Sequence, residues 1–275
     1  MILRFYEKTE PQWLLAYFPA IFYFATLYFT ARGGLLVESP MVHFLPYSRM
    51  PTWYSSIYFP YFSGPAGRWA LWICLFASAI SLFPKASRKA SFALLAINGF
   101  AMAAFPLARV DRFYLYPVCA FCLCGLPENP RLKKTWSLEM IRVQFLMIFG
   151  AAGIAKIYTA GANWLSAGHL YDLVYTERTT WSAYTGIQIW SGRFSMPPEF
   201  YTALAYAVVL IEISCLIAIF YKKLRPLSIF GVVIFFVGQK FSIGWFFAEL
   251  IPFFVLFAPD FLPEKKINVA NYKLN

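Results

Sequence analysis

Apolar stretches long enough to cross a lipid bilayer dominate this chain and leave little room for any other kind of fold. Hydrophobic residues make up 60% of the sequence and charged residues only 13%, whereas a soluble domain carries about 25% charged residues. A membrane-spanning helix needs about 20 largely apolar residues. The sequence therefore predicts an all-α, polytopic membrane bundle of about eight transmembrane helices, in one domain over residues 1–275, with the helices at 13–30, 68–84, 90–107, 113–127, 137–157, 200–221, 226–241 and 244–259.

Clusters of lysine and arginine at alternate ends of these segments predict the orientation of the chain. Cytoplasmic loops are enriched in both residues, so the cytoplasmic side receives the clusters at 85–89, 131–134, 222–225 and 265–266. Both termini are then cytoplasmic, and the two long connections, 31–67 and 158–199, face outward. Both are rich in Trp, Tyr and Phe, which favour the lipid–water interface. We therefore expect outward-facing, interfacial aromatic-rich helices there. Because the net charge of +11 is concentrated at segment ends, we predict contact with membrane lipid and no nucleic-acid partner.

A second set of ionisable residues lies inside the apolar segments or near their outward ends. Asp111 and Arg112 separate two segments, Lys156 and Lys240 end two others, and Glu212 lies within one. Ionisable groups at membrane depth usually face the bundle interior and pair with one another. A lysine at a helix end can instead extend to the interface as an anchor, so both interpretations stay open for the two lysines. The short side chain of Glu212 favours a functional role, and the set predicts an outward-opening polar pocket.

The stretch FGAAGIAK, residues 149–156, ends in one of these lysines and is rich in small residues. Small residues at this spacing let two membrane helices approach closely. We expect this face to pack tightly against a neighbouring helix and to bring Lys156 close to its backbone.

The cysteines and histidines of the sequence do not predict a redox or metal site. The CAFCLC stretch, with Cys119, Cys122 and Cys124, lies among apolar residues, and we interpret it as packing rather than as a redox pair. His43 and His169 have no third ligand nearby in the sequence, so we predict no metal site.

Residues 144–170, QFLMIFGAAGIAKIYTAGANWLSAGHL, resemble a signature of the vitamin K-dependent gamma-carboxylase-like (HTTM) membrane family. In that family a Gln opens the helix, a lysine closes it and Trp-x-x-Gly follows. The matching positions here are Gln144, Lys156 and Trp164, with Gly168 one residue late. A second block, Gln239 to Gly244, is similar to the family's Gln-x-Phe-Ser-Ile-Gly, and VDRFYLYPVCAFCL lies where the family has Tyr-Leu-Tyr.

The resemblance implies a lipid-soluble quinol as substrate or ligand, because in the carboxylase the lysine is the base that deprotonates reduced vitamin K. A lysine removed from water gives up its proton more readily, so Lys156 fits that role. Asp111 and Arg112 stand where the carboxylases have Asn-His. Since arginine cannot act as a neutral acid or base, we do not expect protein carboxylation.

Two hypotheses follow, and they leave open whether the protein is an enzyme. In the first, an intramembrane pocket takes a quinol, with Lys156 as base, Arg112 stabilising the oxyanion, Asp111 orienting Arg112, and Trp164, Glu212, Gln239 and Lys240 binding the ligand. In the second, the chain is a non-catalytic accessory subunit of a membrane complex or of a secreted-peptide maturation system. Compact family members resemble the membrane component of bacterial peptide-toxin maturation systems. This resemblance implies a bacterial inner membrane and a protein subunit or small secreted peptide as partner.

Overall fold

The computed structural model is built almost entirely of helices. It describes residues 8–32, 65–82, 88–103, 115–126, 134–161, 165, 197–243 and 250–261. The helices are α1 (Gln12–Arg32), α2 (Pro65–Ala77), α3 (Arg88–Ala103), α4 (Leu115–Leu123), α5 (Ser137–Ala160), α6 (Pro198–Phe220) and α7 (Arg225–Ile243). The C-terminal segment Ile251–Phe261 joins α8 (Ile251–Phe254) and α9 (Ala258–Phe261) through the 3-10 turn Val255–Phe257, and further 3-10 turns are Ser78–Leu82 and Lys222–Leu224.

Seven of the predicted apolar segments overlap α1 to α7, and the described part of the eighth overlaps the C-terminal segment Ile251–Phe261, which confirms the all-α prediction. Among the described residues, two helical stretches are long and apolar enough to cross a membrane, Ser137–Tyr158 and Glu199–Phe220. Others are short: α4 has nine residues, roughly 14 Å at the helical rise, against about 30 Å of hydrocarbon. The count of eight crossings therefore stays a prediction, and most of both aromatic-rich connections lies outside the described residues.

A short strand pair, which the sequence did not predict, is an exception within the described part of the chain. Strand β1 (Lys8–Thr9) pairs antiparallel with β2 (Lys134–Thr135), Lys8 opposite Thr135 and Thr9 opposite Lys134. The pair holds the segment before α1 against the residues that begin α5. It places Glu10 beside the first turn of α5, where it takes part in a charge cluster described below.

Aromatic side chains fill the core between α1, α4, α5 and the C-terminal segment. Phe253 is fully buried, and its ring lies 5.5 Å from Tyr116, 6.2 Å from Phe22, 6.3 Å from Phe145 and 6.4 Å from Phe18, centroid to centroid. Edge-to-face and tilted aromatic pairs at these separations are favourable. Phe253 thereby joins four elements that are far apart in the sequence.

Helix α5 occupies the middle of the described structure. It packs on α4, α6 and the C-terminal segment, and Leu138, Ile141 and Leu146 are completely buried. It ends at Gly161, whose φ of 52° lies in the left-handed region that glycine adopts without a Cβ penalty. Its length allows α5 to carry one charged site near each end.

Candidate functional site

Lys156 and Glu212 form an ion pair between α5 and α6, the two helices that contain the candidate membrane spans. The Nζ ammonium of Lys156 donates a hydrogen bond to Oε1 of Glu212. Glu212 is only 3% exposed, and the Lys156 side chain is 23% exposed. The lysine therefore does not act only as an interfacial anchor, because its ammonium is turned toward a buried carboxylate.

Two glycines of α5 make this contact possible by letting α6 come close. A Cβ atom on Gly153 would lie 2.8 Å from Cβ of Glu212, and one on Gly150 would lie 2.9 Å from Cβ of Leu216. Real Cβ atoms do not approach other atoms so closely, so any larger residue would push the helices apart. The structure confirms the expected close packing of the FGAAGIAK face.

The two oxygens of Glu212 have different surroundings. Oε1 accepts the hydrogen bond from Lys156, while Oε2 is buried without a hydrogen-bond partner among the described residues. The hydroxyl of Ser214, two residues further along α6, donates to the carbonyl of Ile211, 2.7 Å away, and lies 3.0 Å from the hydroxyl of Ser228. Burying an unpaired acceptor is costly, so this oxygen makes the Lys156–Glu212 pair a candidate binding site.

The other predicted site residues are only partly described. Gln239 lies on α7 with its Oε1 buried and unpartnered within the described part of the chain. Lys240 is the next residue on that helix, and its side chain is not among those that the structure describes. Asp111, Arg112 and Trp164 all lie outside the described residues. Of the predicted set, the structure therefore shows Lys156 and Glu212 brought together and leaves the rest as predictions.

Sequence reasoning missed a second buried charge cluster, centred on Glu139 in the first turn of α5. Arg225 holds this carboxylate with both guanidinium arms, at 2.6 and 2.9 Å. Arg142 donates to it at 3.2 Å, and Lys222 contacts it at 3.0 Å. Glu139, Arg142 and Arg225 are fully buried. The basic cluster at 222–225, interpreted above only as an orientation signal, thus also binds α5.

Arg142 connects this cluster to Glu10, before α1, and to the C-terminal segment. Its guanidinium donates to Oε1 and Oε2 of Glu10 at 2.5 and 2.8 Å and to the carbonyl of Leu256 at 2.7 Å. Asp260 adds a further negative charge to its surroundings. A Glu followed three residues later by Arg, at the start of an apolar helix, was the available sequence signal. Its partners come from distant segments, so the cluster could not be inferred without the fold.

The two charged sites have different chemistry. Lys156 follows Arg142 by 14 residues on α5, roughly 21 Å along the helix, with aromatic core between them. In the Glu139 cluster every carboxylate oxygen of Glu139 and Glu10 receives a donor, as a structural cluster requires. The Lys156–Glu212 pair leaves one oxygen unsatisfied, so it is the better candidate for binding.

The cysteines are all free, and their burial leads to a direct prediction. Cys119, Cys122 and Cys215 are buried, while Cys74 and Cys124 are partly exposed. A water-soluble maleimide should modify Cys124, near the end of its apolar segment, in the folded protein, and should modify Cys119, Cys122 and Cys215 only after unfolding, as read by peptide mass spectrometry. Modification of Cys122 as fast as Cys124 in the folded protein would contradict the packing role assigned to it.

Within the described ranges, no group of three or more His, Cys, Asp or Glu side chains is placed to hold a metal ion. Comparison with protein-family models, with curated proteins and with solved structures gives no match. The functional argument therefore rests on the geometry of the Lys156–Glu212 pair and on the sequence resemblance.

Proposed function

We propose that this chain is a polytopic membrane protein similar to the vitamin K-dependent gamma-carboxylase-like (HTTM) family, with an intramembrane pocket for a lipid-soluble, quinol-like ligand. One observation carries the proposal: Lys156 and Glu212 pair between the two helices that are apolar enough to cross a membrane, and one carboxylate oxygen is left without a partner. Ionisable residues at such depth usually serve binding or proton transfer.

The outer surface of the helices supports a membrane location. Large apolar and aromatic side chains face outward on most of them, including Tyr17, Trp69, Phe121, Tyr158, Phe220 and Phe230. A soluble monomer rarely exposes contiguous apolar patches above a few hundred Å², whereas lipid tails solvate such a surface well. The proposal therefore keeps about eight crossings, a bacterial inner membrane and both termini in the cytoplasm.

The pair suits an apolar ligand with a polar head. A quinol offers hydroxyl donors to Glu212 Oε2 and an apolar ring to the surrounding helices, and its proton transfer would create an oxyanion beside the Lys156 ammonium. The sequence resemblance gives the lysine the role of base. In the proposal, Arg112 stabilises the oxyanion, Asp111 orients Arg112, and the ligand is contacted by Trp164, Gln239 and Lys240.

The second candidate is a non-catalytic subunit that binds a protein partner or a small secreted peptide. The same ion pair supports it in a different way, because Lys156 and Glu212 neutralise each other and can join two helices without any ligand. In this case a polypeptide partner should co-purify, and the charge pair should affect only stability.

The first experiment is to purify the protein in mild detergent and identify co-purifying lipids and polypeptides by mass spectrometry, comparing wild type with Lys156→Met. Binding of 2-methyl-1,4-naphthoquinol is then measured by quenching of tryptophan fluorescence. Loss of a charged hydrogen-bond donor costs about 1.5–3 kcal/mol, so affinity should fall roughly 10- to 100-fold. Lys223→Met, at an exposed position, is the matched control and should bind like wild type.

Lys156→Met leaves Glu212 unpaired and could unfold the protein, so a double variant is needed. Lys156→Met with Glu212→Leu replaces the pair with apolar side chains, which is often neutral for stability, and should fold but not bind the quinol. If the double variant binds as well as wild type, the pocket is not at this pair. If no quinol binds and a polypeptide partner is retained by every variant, the subunit hypothesis replaces the first.

A further inference from the structure

Tertiary contacts bring basic clusters that are far apart in the sequence to one end of the bundle. At the start of α3, the carbonyl of Lys89 accepts a hydrogen bond from Sγ of Cys124, 3.6 Å away, just after α4. The next residue contacts the start of α5, since a Cβ on Gly125 would lie 2.5 Å from the ring of Trp136. The cluster at 131–134 directly precedes that point of the chain.

The turn before α7 and the N-terminal segment reach the same end. Lys222 and Arg225 both contact Glu139 in the first turn of α5. Strand β1, which contains Lys8, pairs with β2, which contains Lys134. These contacts are independent of the composition rule that predicted a shared side for the basic clusters. They bring the described clusters together at the beginning of α5, opposite the end that carries the Lys156 site.

Buried ion pairs leave the surface of this end with an excess of positive charge. Glu10 and Glu139 are buried, and each bonds to a buried arginine, so their charges are neutralised inside the bundle. Lys222 is 47% exposed, and Lys223 is exposed. The contact of Lys222 with Glu139, at 3.0 Å, also holds this side chain in place, so less order is lost when an anion binds to it.

Exposed aromatic side chains lie directly beside these two lysines. Phe220 is 82% exposed and Tyr221 is 54% exposed, and both immediately precede Lys222 in the sequence. Aromatic side chains favour the lipid–water interface, and lysines at that level attract anionic lipids. An apolar surface next to two ammonium groups matches a molecule with acyl chains and a negatively charged head group.

We propose that the turn Phe220–Lys223 binds an anionic phospholipid. The ammonium groups of Lys222 and Lys223 contact the phosphate, and Phe220 and Tyr221 contact the glycerol and acyl region. An acidic polypeptide would match the charge but not the neighbouring apolar surface, so the observations favour a lipid. The inference depends on the proposed membrane location and not on a quinol ligand.

The test is native mass spectrometry of the purified full-length protein in detergent, titrated with phosphatidylglycerol or with phosphatidylcholine of the same acyl chains. Wild type should bind phosphatidylglycerol in preference to phosphatidylcholine. Lys223→Gln should lower the association constant for phosphatidylglycerol about fivefold, the usual contribution of one lysine near an anionic lipid surface. Lys223→Arg keeps the charge and should bind like wild type. Lys223 is exposed, and thermal unfolding checks that both variants fold.

Glu199→Gln is the matched control for net charge. It makes the protein more positive by one charge, but Glu199 lies roughly 30 Å along α6 from Phe220, so phosphatidylglycerol binding should not change. A gain in this variant equal to the loss in Lys223→Gln would mean that total charge attracts the lipid, and would overturn the inference.

Other results would also overturn it. These are equal binding of the two lipids by wild type, unchanged binding by Lys223→Gln, and displacement of the lipid by an equal concentration of inorganic phosphate, which would assign the surface to a soluble anion. Retention of an acidic polypeptide in place of the lipid would assign it to a protein partner. A preference for phosphatidylglycerol without any quinol binding would support this inference and remove the quinol proposal.

Discussion

Glu139→Gln is expected to lower the free energy of unfolding by about 3–5 kcal/mol, the usual cost of removing one partner from a buried ion pair. The substitution keeps the size of the side chain, so no cavity forms. It removes the negative charge that faces Arg225 and Arg142, both fully buried, and that also contacts Lys222. Thermal and denaturant unfolding in detergent, followed by tryptophan fluorescence, measures the loss.

Glu199→Gln is the matched control for this prediction. Both glutamates lie in the first turn of a long apolar helix, where a negative charge interacts favourably with the helix dipole, typically by 0.3–1 kcal/mol. Glu199 is exposed, so only this smaller term should be lost. Equal destabilisation by the two variants would show that the cluster around Glu139 contributes little.

Glu10→Gln tests the contact that Glu10 makes with Arg142 in the same cluster. It weakens the contact of the N-terminal segment with Arg142, which keeps its bonds to Glu139 and to the carbonyl of Leu256. A smaller destabilisation than in Glu139→Gln is therefore expected. The order of the two effects tests whether Glu139 is the centre of the cluster.

Gly153→Ala is expected to destabilise the protein by about 1–3 kcal/mol, the usual cost of overpacking, and to weaken quinol binding. Its new Cβ would lie 2.8 Å from Cβ of Glu212, so α5 and α6 must separate or shift. Because the Lys156–Glu212 contact bridges the same two helices, that shift also disturbs the proposed binding site. Unfolding and quinol titration on the same sample measure both effects.

Variants at two other glycines test whether the effects of Gly153→Ala come from its contact with Glu212 or from adding a methyl group to a helix. Gly238→Ala adds a methyl group with nothing within 4 Å, so it should stabilise α7 by roughly 0.5–1 kcal/mol through helix propensity. Gly150→Ala meets Leu216 rather than Glu212, and it should destabilise the protein while affecting quinol binding less. Identical changes in all three variants would contradict a specific role for Gly153.

The two charged sites of α5 differ in how many other segments they contact. The Glu139 cluster joins the beginning of α5 to Glu10, to Arg225 at the start of α7 and to the C-terminal segment, which holds the bundle together at one end. Toward the other end of α5, Lys156 pairs with Glu212, whose Oε2 has no hydrogen-bond partner among the described residues.

Much of this protein follows from the sequence because it depends on local composition. Runs of apolar residues determine where helices form, as α1, α5, α6 and α7 show, and small residues at helical spacing determine where two helices can approach, as Gly150 and Gly153 show. The isolated charges Lys156 and Glu212 were identifiable as residues that need a partner, because an unpaired charge within an apolar helix is costly.

Only the tertiary structure decided which partner each charge has. Glu139 pairs with Arg225, which is 86 residues away in the sequence, and Arg142 pairs with Glu10, which is 132 residues away. No periodicity or motif in the sequence encodes such a pairing. The same holds for the difference between the two oxygens of Glu212, which arises from the close approach of α5 to α6. Local physical chemistry determines helices and their apolar faces, whereas pairing depends on which faces meet, and that is a property of the whole packed chain.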